Sequence, residues 1–221
     1  MSPRPSDGRL RGLFVLADDD PRWRNAPAAQ ARAACEGGAR VVQLRAKYGT
    51  DRETLALAAE IRAVTRACDA LFFLNDRFDL ALLAGADGVH LGQDDLPPAR
   101  LPAAARARLL VGRSAHTLEQ ARAACAEPVD YIAFGPVFGT TSKESRYQAR
   151  GVAMLVEAAR IVAPRPLVAI GGIEAARAGE AMRAGAVGVA VISAVAGAAD
   201  PVAATRALVA ATSAGRASPP T

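Results

Sequence analysis

Lysine is nearly absent from this 221-residue chain: of 27 basic side chains only Lys47 and Lys143 are lysine, and the other 25 are arginine. Histidine is confined to His90 and His116, and cysteine to Cys35, Cys68 and Cys125. The cysteines are widely spaced, with no CxxC pair and no neighbouring histidine. That spacing speaks against a disulfide framework or a thiolate metal site and makes each an expected buried small hydrophobe. Aromatics are only 5% of the chain and the arginines are scattered, so the net charge of +5 suits an anionic partner without offering a base-stacking surface for nucleic acid. Long apolar runs are also missing. The stretches Leu80 to Ala86 and Ala184 to Ala199 are interrupted by glycine or too short to span a bilayer. Met1 to Arg11 carries charges and prolines instead of an apolar core with a small-residue cleavage site, which makes the cytoplasm the expected location.

What is present is an alternation. Eight short aliphatic runs recur between alanine-rich helical stretches: Leu13 to Ala17, Arg40 to Leu44, Leu71 to Leu74, Gly88 to Leu91, Leu109 to Gly112, Tyr131 to Phe134, Leu167 to Ile170 and Val187 to Val191. Being apolar on both faces, they read as buried parallel strands. Thr50 with Glu53 and Thr117 with Gln120 form capping boxes, and Leu57, Ile61, Val64 and Cys68 make one stripe at helical spacing. Asp200 before Pro201 opens a last helix expected to run to about Ala211. A Gly-Ala step closes three helices, at Gly38, Gly85 and Gly185. Eight such units without a break in composition predict a single (β/α)₈ TIM-barrel domain over 1–221, its core spanning about 10–212 and its tails, 1–9 and 213–221, mobile.

A barrel carries its chemistry at the C-terminal strand ends. Strand 2 ends in Gln43, Arg45 and Lys47, an amide and two cations that suit an anion, although Arg45 could instead pair with a barrel carboxylate. Strand 3 ends in Asn75 and Asp76, and strand 4 in Gln93, Asp94 and Asp95. Neighbouring strands lie about 4.8 Å apart, so two carboxylates can converge on one spot, where they need a proton or a cation between them. Mg²⁺ is the natural occupant, since it takes one or two carboxylates and completes its shell with water and phosphate oxygens. The plainer alternative is that Asp76 caps the next helix and Asp94 or Asp95 a turn. Ser114 follows strand 5, while His116 and His90 read as packing or hydrogen-bond props rather than bases. The stretch after strand 6, with Gly135-Pro136, Thr140, Thr141, Ser142 and Lys143, suits either a loop closing over phosphate oxygens or an ordinary surface loop. Gly171-Gly172 after strand 7 and Ile192-Ser193 after strand 8 stand where barrels commonly hold phosphate through backbone N–H groups. No Ser-His-Asp, Cys-His or Glu-Glu set accompanies them, which implies a reaction that needs no strong base.

These motifs, in order from about Leu13 to Ala194, closely resemble the thiamine phosphate synthase (thiamine-phosphate pyrophosphorylase) family. Gly139 replaces a proline common in that pattern and Ser142 a threonine. The resemblance implies a transferase that joins hydroxymethylpyrimidine diphosphate to thiazole phosphate, releasing diphosphate. Carried over by position, Asp76 and Asp95 ligate Mg²⁺, and Arg45, Lys47, Asn75 and Lys143 hold the diphosphate. Of these, Arg45, Lys47 and Lys143 neutralise the leaving group. Gln43 and Ser114 border the pyrimidine; Thr140, Ser142, Gly172, Ile192 and Ser193 hold the thiazole phosphate. A homodimer is implied as well. A thiazole tautomerase of the same fold would not need the Mg²⁺-diphosphate set, and a non-catalytic precursor sensor would bind without turnover.

Overall fold

The computed structural model describes residues 8–139 and 148–217. Eight parallel strands close in sequence order into a barrel: β1 (Gly12–Asp18), β2 (Val41–Arg45), β3 (Leu71–Asn75), β4 (Gly88–Leu91), β5 (Leu110–Ala115), β6 (Tyr131–Phe134), β7 (Leu167–Ile170) and β8 (Gly188–Val191). Closure comes from β8 pairing back onto β1, with Gly12 opposite Gly188 and Phe14 opposite Ala190. Helices α1 (Pro27–Glu36), α2 (Asp51–Ala67), α3 (Phe78–Leu83), α4 (Ala103–Arg108), α5 (Leu118–Cys125), α6 (Gly151–Val162) and α7 (Ala175–Arg183) cross between successive strands, and α8 (Ser193–Ala196) and α9 (Pro201–Ala217) follow β8. The expected (β/α)₈ barrel is therefore the observed architecture.

Strand alternation sorts the core into two apolar clusters. Phe14, Leu16, Val41, Leu71, Phe73, Tyr131, Ala133 and Val168 fill the barrel interior. Their neighbours Leu13, Val15, Val42, Leu44, Phe72 and Leu74 face outward beneath the helices. The interior has room for its aromatic rings only because small residues stand beside them. A Cβ on Gly88 would strike the Phe73 ring, and one on Gly112 the Tyr131 ring. Tyr131 contacts both Phe14 and Phe73, with centroids 5.6 and 5.8 Å apart.

The three Gly-Ala steps are one device used repeatedly. Gly38, Gly85 and Gly185 all have positive φ, and the alanine that follows donates back five residues, Ala39 to Ala34, Ala86 to Ala81 and Ala186 to Ala181. Thr50 and Glu53 form the full capping box. At the α5 start the arrangement differs: Thr117 accepts from Gln120 N–H, but the Gln120 side chain reaches one residue further back, to His116 N–H at 2.7 Å.

Other expectations need correction. β5 runs to Ala115, three residues past Gly112, because Ser114 and Ala115 pair in register with Ala133 and Phe134 of β6. α9 continues to Ala217, so 213–217 are helix rather than tail. Gly215 allows this extension, since a Cβ there would strike Gly179 Cα and Met182 Cβ of α7 at 2.8 Å. The buried stripe of α2 is Thr54, Ala58, Ile61 and Thr65, rotated from the expected one, and it leaves Cys68 exposed. Cys35 and Cys125 are half-buried. Burial first, and contact with Cys68 second, hold the Cys35 thiol well above its ordinary pKa. Because the thiolate is the reacting form, iodoacetamide at pH 8 is expected to label Cys68 promptly and Cys35 only after unfolding, as read by peptide mass mapping. Equal labelling rates would contradict this arrangement.

Candidate active site

The site is built from the strand ends. At the β1 end Asp18 is fully buried and accepts from Arg45 Nη1 at 2.8 Å, the carboxylate pairing that remained open for Arg45. Gln30 clamps the backbone there, accepting from Asp18 N–H at 2.9 Å and donating to its carbonyl at 3.0 Å. Asp19 accepts the N–H groups of Lys47, Tyr48 and Gly49 at 2.8, 3.0 and 3.3 Å, so it pins the loop that carries Lys47. Sequence reading missed this strand end, although the run Asp18-Asp19-Asp20 at a strand terminus was a visible signal.

Gln43 points into the barrel and donates to Asn75 Oδ1 at 2.7 Å, which ties the β2 and β3 ends together. One residue on, Asp76 takes a left-handed backbone, φ 65°, that aspartate tolerates better than most residues. Its N–H donates to the His90 carbonyl at 2.7 Å, anchoring the turn on β4. The Asp76 carboxylate accepts from Lys47 Nζ and touches the Asp95 carboxyl, while Asp95 Oδ2 accepts from Gly92 N–H at 2.6 Å. Burial, and next the hydrogen bond with Asp76, push the Asp95 carboxyl above its ordinary pKa. At Asp76 burial works in the same direction, but hydrogen bonds with Asp95 and Lys47 and the Lys47 charge outweigh it, leaving that carboxyl below its ordinary value. The two carboxyls are thus pulled in opposite directions, Asp95 being the one that gives up its proton less readily. A cation would relieve their like charges.

Further round the barrel, His90 bridges Tyr131 and Ser114: Nδ1 lies 2.8 Å from the Tyr131 hydroxyl and Nε2 2.9 Å from Ser114 Oγ. Gln93 donates to the Ser114 carbonyl. His116 gives its Nδ1 hydrogen to the Gly135 carbonyl at 2.6 Å. Both histidines thus hold hydrogen bonds of the propping kind that was expected. At β7, Gly171 and Gly172 have φ of 99° and 63°, and a Cβ on either would strike the segment after β6, Pro136 for the first and Phe138 for the second. Val137 and Phe138 donate to the carbonyls of Ile170 and Gly171 at 2.9 and 3.0 Å, so that segment lies directly against the β7 end. Among the described residues no backbone hydrogen bond uses the N–H of Gly172 or Ile173.

A cavity at the strand ends joins these walls, with Gln43, His90 and Ser114 on one side and Gly172, Ile192 and Ser193 on the other. Lys47, Asp76 and Asp95 form a cluster of their own, linked to the cavity through the Asn75–Gln43 hydrogen bond. Thr140, Ser142 and Lys143 lie outside the described residues. Tyr131 was read from sequence only as a strand residue; its hydroxyl partner stands 41 residues away, and no local signal gives that.

Fold and strand ends together define a (β/α)₈-barrel enzyme with its polar groups on the C-terminal face, where such barrels act. The family model described as thiamine monophosphate synthase matches residues 13–195. The chain belongs to that family. It is 49% identical over 209 residues to the thiamine-phosphate synthase of Anaeromyxobacter dehalogenans, covering 95% of this chain and 91% of the relative. It is 44% identical to that of Methanoculleus marisnigri, over 89% of this chain and 92% of the relative. Among solved structures it is similar to thiamine phosphate pyrophosphorylase from Pyrococcus furiosus, with a TM-score of 0.84 and 36% identity, over 94% of this chain and 98% of that one.

Proposed function

We propose that this chain joins hydroxymethylpyrimidine diphosphate to thiazole phosphate, yielding thiamine phosphate and diphosphate. The observation that carries the reading is the Lys47–Asp76–Asp95 cluster beside a cavity lined by Gln43, Ser114, Gly172, Ile192 and Ser193. Family membership supports the overall reaction, and the cluster supports how it runs.

The donor set fits Mg²⁺. Two carboxyls side by side, one with its pKa raised by burial and by the other, form a site whose like charges a divalent ion would relieve. Among the described residues no group of three or more potential ligands exists, so water and diphosphate oxygens would complete the shell. Bound there, Mg²⁺ supplies charge stabilisation to the leaving diphosphate. The chain's own residues do the rest. Lys47, Arg45, Asn75 and Lys143 hold the diphosphate as its C–O bond breaks and the electron pair passes to oxygen. Gln43 and Ser114 hold the pyrimidine as its methylene becomes cationic. Gly172, Ile192 and Ser193, with Thr140 and Ser142, hold the thiazole phosphate so that the ring nitrogen's lone pair forms the C–N bond. No proton is removed in this sequence, which accounts for two histidines committed to hydrogen bonds.

Arg45 serves doubly in this reading. Nη1 is spent on Asp18, and among the described residues its other donors have no hydrogen-bond partner, leaving them for phosphate oxygens. The reading carries with it a cytoplasmic homodimer acting only on small molecules. Among the described residues no helix is long and apolar enough to cross a membrane.

Incubation with both substrates tests the proposal: thiamine phosphate forms with Mg²⁺ and stops with EDTA. Binding of both substrates without turnover would favour the sensor, and activity untouched by EDTA would remove the metal from the account. Lys143→Ala is expected to lower kcat by roughly 10²-fold, the scale of one charge-stabilising donor, in the same assay. A wild-type rate would take Lys143 out of the diphosphate set.

A further inference from the structure

We propose that Tyr131 and His90 act as a positioning relay that keeps the hydroxyl proton of Ser114 available to the substrate. Tyr131 is buried in the barrel interior, 2% exposed, and among the described residues its hydroxyl has one hydrogen-bond partner, His90 Nδ1 at 2.8 Å. Burial first, and the Asp130 charge second, hold this phenol above its ordinary pKa, so it keeps its proton. A buried hydroxyl with a single possible acceptor must donate to it, because the alternative leaves an O–H in the interior with nothing to receive it. Nδ1 therefore accepts, and the ring hydrogen sits on Nε2.

The consequence falls on Ser114. Nε2, 2.9 Å away, donates to Ser114 Oγ, and the serine's own proton is not consumed by the histidine. Ser114 is half-buried on the wall of the cavity it shares with Gln43 and Gly172, so that proton is offered to whatever the cavity holds. With the opposite tautomer the meaning of the site reverses: Nε2 would take the serine proton and the cavity would lose a donor. Gly112 belongs to the same device, since a Cβ there would stand 2.5 Å from Nδ1 and force the ring off its partner. Resting on the function proposed above, the acceptor for the Ser114 proton is a lone pair on the pyrimidine moiety. His90 is then a positioning residue that acts on the substrate through Ser114.

Two measurements test this. In the substrate-free enzyme labelled with ¹⁵N-histidine, NMR should find His90 as the Nε2–H tautomer; an Nδ1–H tautomer overturns the relay. Tyr131→Phe should raise KM for the pyrimidine diphosphate roughly ten-fold, the effect of one neutral hydrogen bond, and leave KM for the thiazole phosphate unchanged. In a Ser114→Ala background the same substitution should add nothing, whereas a merely structural tyrosine would cost the same in both backgrounds. Equal cost overturns the proposal. Should Tyr131→Phe not fold, the tautomer of the wild-type protein still decides. Failure of the wild-type protein to make thiamine phosphate would sink the assigned reaction while leaving the tautomer measurement standing.

Discussion

Asp76→Asn is expected to lower kcat for thiamine phosphate formation by about 10³-fold, the upper range for removing one group that stabilises transition-state charge, while leaving the melting temperature close to wild type. The separation of activity from stability follows from the backbone. Asp76 sits at φ 65°, a conformation asparagine also tolerates, and its anchoring hydrogen bond to the His90 carbonyl uses only the main chain. The ion pair it loses, with a Lys47 side chain 43% exposed, is of the partly solvated kind that adds little to folding. What the amide cannot do is share a cation with Asp95. Steady-state rates across a Mg²⁺ series, beside thermal melts, check the expectation; a wild-type kcat at saturating Mg²⁺ would dissolve the metal assignment.

The same pair sets a pH dependence. Burial, and then Asp76, raise the pKa of the Asp95 carboxyl, so that protons compete there with a divalent ion. Lowering pH through the raised pKa refills the site with a proton, so the dissociation constant for Mg²⁺ should rise as pH falls, in a window above that of an isolated aspartate. Calorimetric titration of Mg²⁺ at several pH values reads this directly. A constant affinity across that window would mean the two carboxyls do not share the ion.

Much of the barrel was legible because strand and helix carry different periods, and the Gly-Ala steps marked three helix ends without help from distant residues. The meeting of two carboxyls was legible for a related reason: Asp76 and Asp95 follow neighbouring strands, and a parallel sheet brings consecutive strand ends together. What escaped depends on partners far along the chain. Asp18 and Asp19 were overlooked because their work is done on Arg45 and the Lys47 loop, 27 to 30 residues later. β5 looked as though it ended at Gly112 because Arg113 and Ser114 are polar. Arg113 faces outward to Glu127 at 3.0 Å, and Ser114 faces the cavity. The length of α9 is decided by Gly215 meeting Gly179, two glycines that composition alone reads as helix breakers. Gly171 and Gly172 stood out in the sequence as a place for phosphate, whereas the need for glycine visible in the structure is close approach of the Pro136–Gly139 segment.

Gly112→Ala brings the interior packing and the relay into one measurement. Its backbone is not left-handed, so alanine is conformationally acceptable there and the whole effect is steric. The added methyl would lie 2.5 Å from His90 Nδ1 and closer still to the Tyr131 ring, and neither neighbour is the loose end of a flexible chain. Tyr131 is wedged between Phe14 and Phe73, so relief requires moving several interior rings at once. Overpacking of this kind costs about 3 kcal/mol, which for a chain of this size is a fall in melting temperature of roughly 6–12 °C. Gly139→Ala supplies the control: among the described residues a Cβ there meets nothing within 4 Å, and its melting temperature should stay near wild type. Combining Gly112→Ala with Tyr131→Ala removes the ring the methyl strikes, so the double variant should be more stable than the sum of the single costs allows. Strict additivity in that cycle, measured by denaturant unfolding, would mean that Gly112 and Tyr131 do not share the space assigned to them. The displaced Tyr131–His90 hydrogen bond would then lose its structural basis as well.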